Sequence, residues 1–246
     1  MKVVAIIPAR YSSTRLPGKP LLDATGKPLV QHVVENVRKA RRIEAVYVAT
    51  DDERIKQAVQ GFGGEAIMTR PDHVSGTDRL AEAAGILNLD EGDVVVNVQC
   101  DEPEIDPNHI DLLVSLLIDS DAPMATLAAP VDEKSANSPD NVKVVLSQSG
   151  YALYFSRAKI PYDRDGKGKG AQYLLHIGIY AYRKRFLDKI TALEPTPLEQ
   201  AEKLEQLRVL ENGFKIAVGL VDSASPGIDT IEDYENFVRR VRRMKS

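Results

Sequence analysis

Four short apolar runs, each followed by a stretch of helical periodicity, set what this 246-residue chain can fold into. They are Val3 to Ile7, Ala45 to Thr50, Glu65 to Met68 and Asp93 to Gln99. After the first, Pro28 to Arg42 puts Leu29, Val33, Val34 and Val37 on one helical face. Arg38, Lys39, Arg41 and Arg42 are then expected in the last turn of that helix, where cations suit its dipole. Asp51 and Asp52 offer an N-cap to a helix through Val59, which Gly61, Gly63 and Gly64 end. A third helix covers Leu80 to Leu87, capped by Ser75 or Thr77, and Asp106–Pro107 opens a fourth that runs to Ile118. Near-continuously apolar strands alternating with helices predict an α/β fold: a doubly wound, mostly parallel sheet with right-handed crossovers.

The alternation lapses in the second half. Met124 to Pro130 is another apolar strand, and Val142 to Leu146 and Tyr151 to Phe155 flank a hairpin turn, Ser147–Gln148–Ser149–Gly150. Tyr173 to Tyr182 is a strand, whereas Arg157 to Gly170 is polar, rich in glycine and expected to be a mobile loop. Residues 131–182 thus read as a smaller β-rich insertion within one domain spanning 1–246. Glu199 to Glu211 is expected as one amphipathic helix with Leu204, Leu207 and Leu210 on its core side. Phe214 to Leu220 then forms a strand, Ser225 to Asp229 a turn, and Thr230 to Arg243 a last helix.

The chemistry gathers where strands end, which is where ligands bind in open α/β sheets. The first run leads into PARYSSTRLPGKP, with three cations, Arg10, Arg15 and Lys19, among the hydroxyls of Ser12, Ser13 and Thr14. Gly18 lets the backbone approach a ligand there, and Arg forks with backbone N–H groups suit a polyphosphate. Neither GxxxxGK[ST] nor GxGxxG is present, so side-chain cations, more than a glycine cradle, would hold the phosphates. A second polar loop, Thr69 to Arg79 (TRPDHVSGTDR), precedes a helix whose N-terminal N–H groups could receive an anion or a base edge. Asp101 and Glu102 follow the fourth strand, where a hard Mg²⁺ would sit against bound phosphates. Asp229 is a cap candidate that becomes a second metal carboxylate only if the fold brings it to Asp101.

A net charge of −4 argues against a broad nucleic-acid or anionic-membrane surface, so the anion bound is expected to be small. The single cysteine, Cys100, excludes an intrachain disulfide and fits a reducing compartment. The N-terminal apolar run is too short for a signal peptide, and no stretch approaches the ~20 residues of a membrane span. The expectation is a cytoplasmic protein.

The opening IPARYSSTRLPGKPL closely resembles the signature of the 3-deoxy-manno-octulosonate (Kdo) cytidylyltransferases. The resemblance continues in order through TRPDHVSGTDRLAEA, VVVNVQCDEPEI, MATLAAP, VKVVL, GYALYFSRAKIPYDRD, HIGIYAYR, KLEQLRVLENG and PGIDTIEDYENF. One departure stands out: that family's pattern has glycine where this chain has Cys100, which puts the local loop geometry in question. The resemblance implies a nucleotidyltransferase of Rossmann-like fold that transfers CMP from CTP to Kdo, releases pyrophosphate, and supplies lipopolysaccharide biosynthesis. It implies that Arg10, Arg15 and Lys19 clamp the triphosphate, with Ser12 and Ser13 as further donors. Ser75, Gly76 and Gln99 would lie near the cytidine, and Asp101 with Asp229 would hold Mg²⁺. Arg157, His176, Glu205 and Gln206 carry over as contacts to the sugar acid, with Arg70 a further candidate for its carboxylate. It also implies a homodimer contacting through the β-rich region. Two readings stay open beside it: a cytidylyltransferase for 8-amino-Kdo or a sialic acid, and a non-catalytic nucleotide-binding module.

Overall fold

The computed structural model describes residues 1–12, 16–73, 75–164 and 172–245. In chain order its elements are β1 (Val3–Ala9), α1 (Leu29–Val37), β2 (Ala45–Thr50), α2 (Glu53–Gly61), β3 (Glu65–Met68), α3 (Gly76–Ile86), β4 (Val94–Asn97) and α4 (Pro107–Asp119). There follow β5 (Met124–Val131), α5 (Glu133–Ala136), β6 (Lys143–Leu146), β7 (Ala152–Ser156), β8 (Tyr173–Arg183), α6 (Lys184–Thr191), α7 (Pro197–Glu202), α8 (Gln206–Glu211), β9 (Ile216–Leu220) and α9 (Ile231–Lys245). The chain divides into two compact units, Met1–Asp111 with Ser225–Ser246, and Leu112–Ala224.

In the first unit β1 pairs in parallel with β2 and with β4, and β2 with β3, giving the order β3-β2-β1-β4. The chain therefore steps outward from β1 to β3 and returns to the other side of β1. The direction of winding reverses between β1 and β4, and the loops leaving these two strands face one crevice. Val3–Ile7 and Val94–Val96 are buried throughout, as strands covered on both faces should be. Helix α9 returns to this unit: Leu16, Leu29, Ile228, Tyr234, Phe237, Val238 and Val241 form one buried cluster.

In the second unit β5 lies between β8, antiparallel to it, and β9, parallel to it. Strands β6 and β7 form the expected antiparallel hairpin, and β6 meets β8 at Lys143 and Leu175.

Two expectations are corrected. Helix α1 stops at Val37, so Arg38 to Arg42 lie beyond it. The N–H groups of Lys39 and Ala40 bond the carbonyls of Asn36 and Val37, a tightened turn that ends the helix. The single helix expected over Glu199–Glu211 is two, α7 and α8, broken at Lys203, whose φ is +55°. Arg208 on α8 folds back to Glu199 on α7 with a bidentate pair of 2.8 and 2.6 Å, and both are largely buried. That pairing, with Leu204 buried, offsets the cost of one left-handed residue.

Candidate active site

The loop after β1 is closed by its own backbone. The N–H of Gly18 donates to the carbonyl of Tyr11 at 3.0 Å, and Gly18 takes φ +67°, a conformation that favours glycine. The Tyr11 ring lies against Gly18 and under the Arg54 guanidinium, 3.4 Å from the ring centroid. Arg10, at the mouth of the loop, has its Nη2 buried with no hydrogen-bond partner among the described residues. Ser12 is exposed. Ser13 and Arg15 lie outside the described residues.

Lys19 reaches the crevice between β1 and β4. Its Nζ donates to Asp101 Oδ2 at 2.8 Å and to the carbonyl of Ile228 at 2.9 Å, and lies 3.7 Å from Asp229 Oδ1. The fold therefore does bring Asp229 to Asp101, across one ammonium. Two features place it there. Ile228 is fully buried in the cluster with Leu16, Leu29 and α9, and its N–H donates to the carbonyl of Asp101 at 2.9 Å. Helix capping falls to the next residue: Thr230 Oγ1 accepts from the N–H of Asp233, whose carboxylate accepts from the N–H of Thr230. Asp229 is thus not the cap that the sequence suggested as one option.

Glu102 is the third carboxylate of this cluster. Its Oε2 is buried with no hydrogen-bond partner among the described residues. Burial, then the charges of Asp101 and Asp229, push its pKa up to about 8 against the pull of Lys19. A Cβ on Gly227 would stand 3.6 Å from Glu102 Oε1, so the turn presents bare backbone to the acid group. With Glu102 held mostly as the neutral acid, Asp101 and Asp229 still outnumber the one lysine between them, which fits a further cation. Among the described residues no three His, Cys, Asp or Glu side chains are arranged to hold a metal by themselves. The residues therefore suit an ion that two carboxylates hold and substrate oxygens complete, as Mg²⁺ does beside phosphates.

Cys100 adds no chemistry of its own. It is buried, and burial followed by the Asp101 charge pushes its thiol up to about 12. Among the described non-glycine residues only Asn88 and Lys203 have positive φ, so the side chain at position 100 sits on unstrained backbone. Gln99 Nε2 donates to Asn97 Oδ1 at 3.3 Å, along the end of β4.

The second polar loop is anchored from below. Arg79 on α3 is wholly buried, and its guanidinium donates to Thr69 Oγ1 at 2.5 Å and Asp51 Oδ2 at 3.0 Å. It thus ties together the carboxyl ends of β2 and β3. Ser75 caps α3 in a reciprocal box with Asp78, so its hydroxyl is held within the protein. Gly76 faces Pro8 of β1. Arg70 is exposed and pairs with Asp72, while its N–H and the His73 ring both bond the Glu82 carboxylate.

The other expected sugar contacts all belong to the second unit. Its centre is His176, whose ring stands edge-on to Phe155 at 5.0 Å and tilted to Tyr180 at 5.4 Å. Burial lowers the His176 pKa to about 3, so the ring is neutral at physiological pH. Burial and then the Glu205 charge raise the Tyr180 phenol. Gln206 is buried and Glu205 exposed at the head of α8. Arg157 is held by structure: its Nε donates to the carbonyl of Glu202 at 2.7 Å and its Nη1 to that of Pro139 at 3.1 Å. The buried Lys143 donates to the carbonyls of Arg157 and Ser138, at 2.7 and 2.8 Å, and to that of Asn141.

A family model described as cytidylyltransferase matches residues 4–216. The chain belongs to the cytidylyltransferase family. A 3-deoxy-manno-octulosonate cytidylyltransferase of Syntrophobacter fumaroxidans is 52% identical over 97% of this chain and 96% of its own length. One from Vibrio cholerae serotype O1 is 50% identical over 98% of each chain. A solved structure of CMP:2-keto-3-deoxy-manno-octonic acid synthetase complexed with CTP superposes with a TM-score of 0.94. It is 45% identical and covers 99% of this chain and 100% of that one.

In this cytidylyltransferase the first unit gathers Lys19, Asp101, Glu102 and Asp229, while Arg157, His176, Glu205 and Gln206 lie in the second. Sequence reasoning passed over Arg79, which anchors the second loop, Thr126, whose hydroxyl lies 3.0 Å from His176 Nε2, and Glu202, whose carbonyl holds Arg157. A signal existed for two of them: Arg79 follows the Ser75 capping box directly, and Thr126 is the lone hydroxyl in an otherwise apolar strand, MATLAAPV. Glu202 had none, since only the fold brings α7 to the end of β7.

Proposed function

We propose that the chain transfers CMP from CTP to the anomeric hydroxyl of 3-deoxy-D-manno-octulosonate, releasing pyrophosphate, to give CMP-Kdo for lipopolysaccharide biosynthesis. The observation that carries this reading is the convergence of Lys19, Asp101, Glu102 and Asp229 at the switch point between β1 and β4. Relatives about half identical over almost the whole chain, named for this reaction, give the sugar acid. The anomeric oxygen bonds to the α-phosphorus, the bond from that phosphorus to the β-phosphate oxygen breaks, and the hydroxyl proton passes to solvent. Such a transfer needs positioning and charge stabilisation more than covalent catalysis.

The residues divide this work. Arg10, whose Nη2 has no hydrogen-bond partner among the described residues, receives triphosphate oxygens, and Ser12, Ser13 and Arg15, close to it in sequence, are assigned to the same task. Lys19 holds Asp101 and Asp229 at one point and offsets charge on the leaving pyrophosphate. Asp101 and Asp229 would hold Mg²⁺, which when bound would withdraw charge from the phosphoryl oxygens and lower the pKa of the attacking hydroxyl. Gly76, Ser75 and Gln99 border the cytidine, and Arg70, Arg157, His176, Glu205 and Gln206 serve the sugar acid. Residues 1–246 act as one nucleotidyltransferase domain, a cytoplasmic homodimer joined through the β-rich region 131–182. No helix among the described residues is long and apolar enough to cross a membrane.

The test is pyrophosphate release from CTP and Mg²⁺ with Kdo, N-acetylneuraminate and 8-amino-Kdo offered separately. Release with Kdo, lost with EDTA and reduced about 100-fold or more by Asp101→Asn, is expected. Release with another sugar acid alone would overturn the substrate assignment. Silence with all three despite CTP binding would make the chain a nucleotide-binding module.

A further inference from the structure

Strands β5 and β8 lose register beside His176. Thr126 lies opposite Tyr180 and the next residue, Leu127, opposite Ile177, so one step along β5 matches three along β8. Such an irregularity re-aims the side chains around it and needs its freed backbone groups satisfied. The fully buried Thr126 does this with one hydroxyl. Its Oγ1 lies 2.8 Å from the carbonyl oxygen of Ile179, 3.1 Å from that of Ile177 and 3.0 Å from His176 Nε2.

A hydroxyl has one proton, and the two carbonyls can only accept. Were that proton given to His176 Nε2, three oxygens would meet at 2.8 and 3.1 Å with no proton between them. The proton therefore goes to a carbonyl, and the remaining lone pair of Thr126 accepts an N–H from His176 Nε2. A neutral imidazole carries one ring proton, so Nδ1 is left as a bare acceptor. Burial keeps the ring neutral, in agreement with this arrangement.

We infer that Thr126 is a positioning residue, which fixes His176 as the Nε2–H tautomer so that its Nδ1 selects a hydrogen-bond donor, a sugar hydroxyl, and rejects the sugar carboxylate. The inference rests on the reading that His176 meets the sugar acid.

The tautomer can be read in the full-length protein from two-bond ¹H–¹⁵N correlations of the imidazole rings, with His176 assigned against the His176→Gln variant. The expected spectrum has Nε2 protonated and Nδ1 unprotonated in the wild type and in Thr126→Ser. Thr126→Val, which keeps the shape and removes the hydroxyl, should lose that preference. It should also raise KM for Kdo about five- to tenfold, the scale of one neutral hydrogen bond, with KM for CTP unchanged, and Thr126→Ser should restore it. A wild-type ring protonated on Nδ1, or on both nitrogens, overturns the inference, and this measurement needs no variant of Thr126 to fold. A Thr126→Val protein with the tautomer and KM for Kdo both unaltered overturns it too. If the tautomer is as stated but neither Thr126→Val nor His176→Gln changes KM for Kdo, the contact between His176 and the sugar is refuted and the tautomer assignment stands.

Discussion

Replacing Ile228 with alanine separates the apolar seat of the turn that carries Asp229 from its charges. Ile228 is completely buried against Leu16, Leu29, Tyr234, Phe237 and the rest of that cluster, yet its carbonyl binds Lys19 and its neighbour is Asp229. The change removes three carbons. At about 0.8 kcal/mol per buried methylene the transfer loss is about 2.4 kcal/mol, and the cavity raises the total to about 3 kcal/mol. For a chain of this size that is a fall in Tm of roughly 6–12 °C. Ile228→Val, one carbon smaller, should cost about 1 kcal/mol. Urea unfolding of the three proteins gives the stabilities, and pyrophosphate release at a temperature where each is folded gives the activity. The expected outcome is a graded stability loss together with a marked loss of turnover in the alanine variant alone, as Asp229 and the Ile228 carbonyl drift from Lys19. A cost below about 1 kcal/mol for alanine would refute the packing argument. A full cost with wild-type turnover would refute the claim that this core seats the turn that carries Asp229.

Three further outcomes are expected. Burial would raise the Glu82 carboxyl, but hydrogen bonds from His73 and the Arg70 N–H prevail and hold it below its ordinary 4.5; a depressed carboxyl stabilises the fold above the unfolded pKa and loses that contribution as pH falls through the folded one. The stability gap between wild type and Glu82→Gln, measured in urea, should therefore be full at neutral pH and close below about pH 4.5; a gap independent of pH counts against the pairing. Gly18→Ala meets φ +67° and a Cβ 3.3 Å from the Tyr11 ring, and should cost about 1–2 kcal/mol of stability and raise KM for CTP by opening the Tyr11–Gly18 closure; an unaltered KM would show that this closure does not shape the phosphate loop. Arg208→Met leaves the largely buried Glu199 without its bidentate partner and should cost about 3 kcal/mol by urea unfolding, whereas a cost near zero would mean the α7–α8 fold-back is held by Leu204 and its neighbours instead.

Local patterns determined most of the secondary structure. Apolar runs with polar punctuation placed β2 and β3 to the residue: β2 is apolar because it is largely buried, and β3, of which only Ile67 is buried, is set off by the glycines before it and the polar loop after it. The caps were legible to within a pair of candidates, Asp51 or Asp52 and Ser75 or Thr77, since an N-cap bonds N–H groups only two or three residues away; the structure uses Asp52 and Ser75. The positions of Arg10, Lys19 and Asp101 at strand ends followed from the same strand assignments. What the chain could not declare locally depends on contacts between distant segments. Asp229 looked like a helix cap until the burial of Ile228 turned its carboxylate to Lys19 and left the capping to Thr230. The helix read over Glu199–Glu211 has good periodicity throughout, and the left-handed lysine in its middle is explained by contacts across the break, the pairing of Arg208 with Glu199 and the burial of Leu204. Thr126 is one hydroxyl in an apolar strand, and its meaning exists only where β8 slips against β5 and sets two carbonyls and a histidine around it. Sequence alone determined the elements and the chemistry they carry, because those are written within a few residues; the tertiary structure decided which charges meet and which groups surround a buried hydroxyl, because both depend on side chains far apart along the chain.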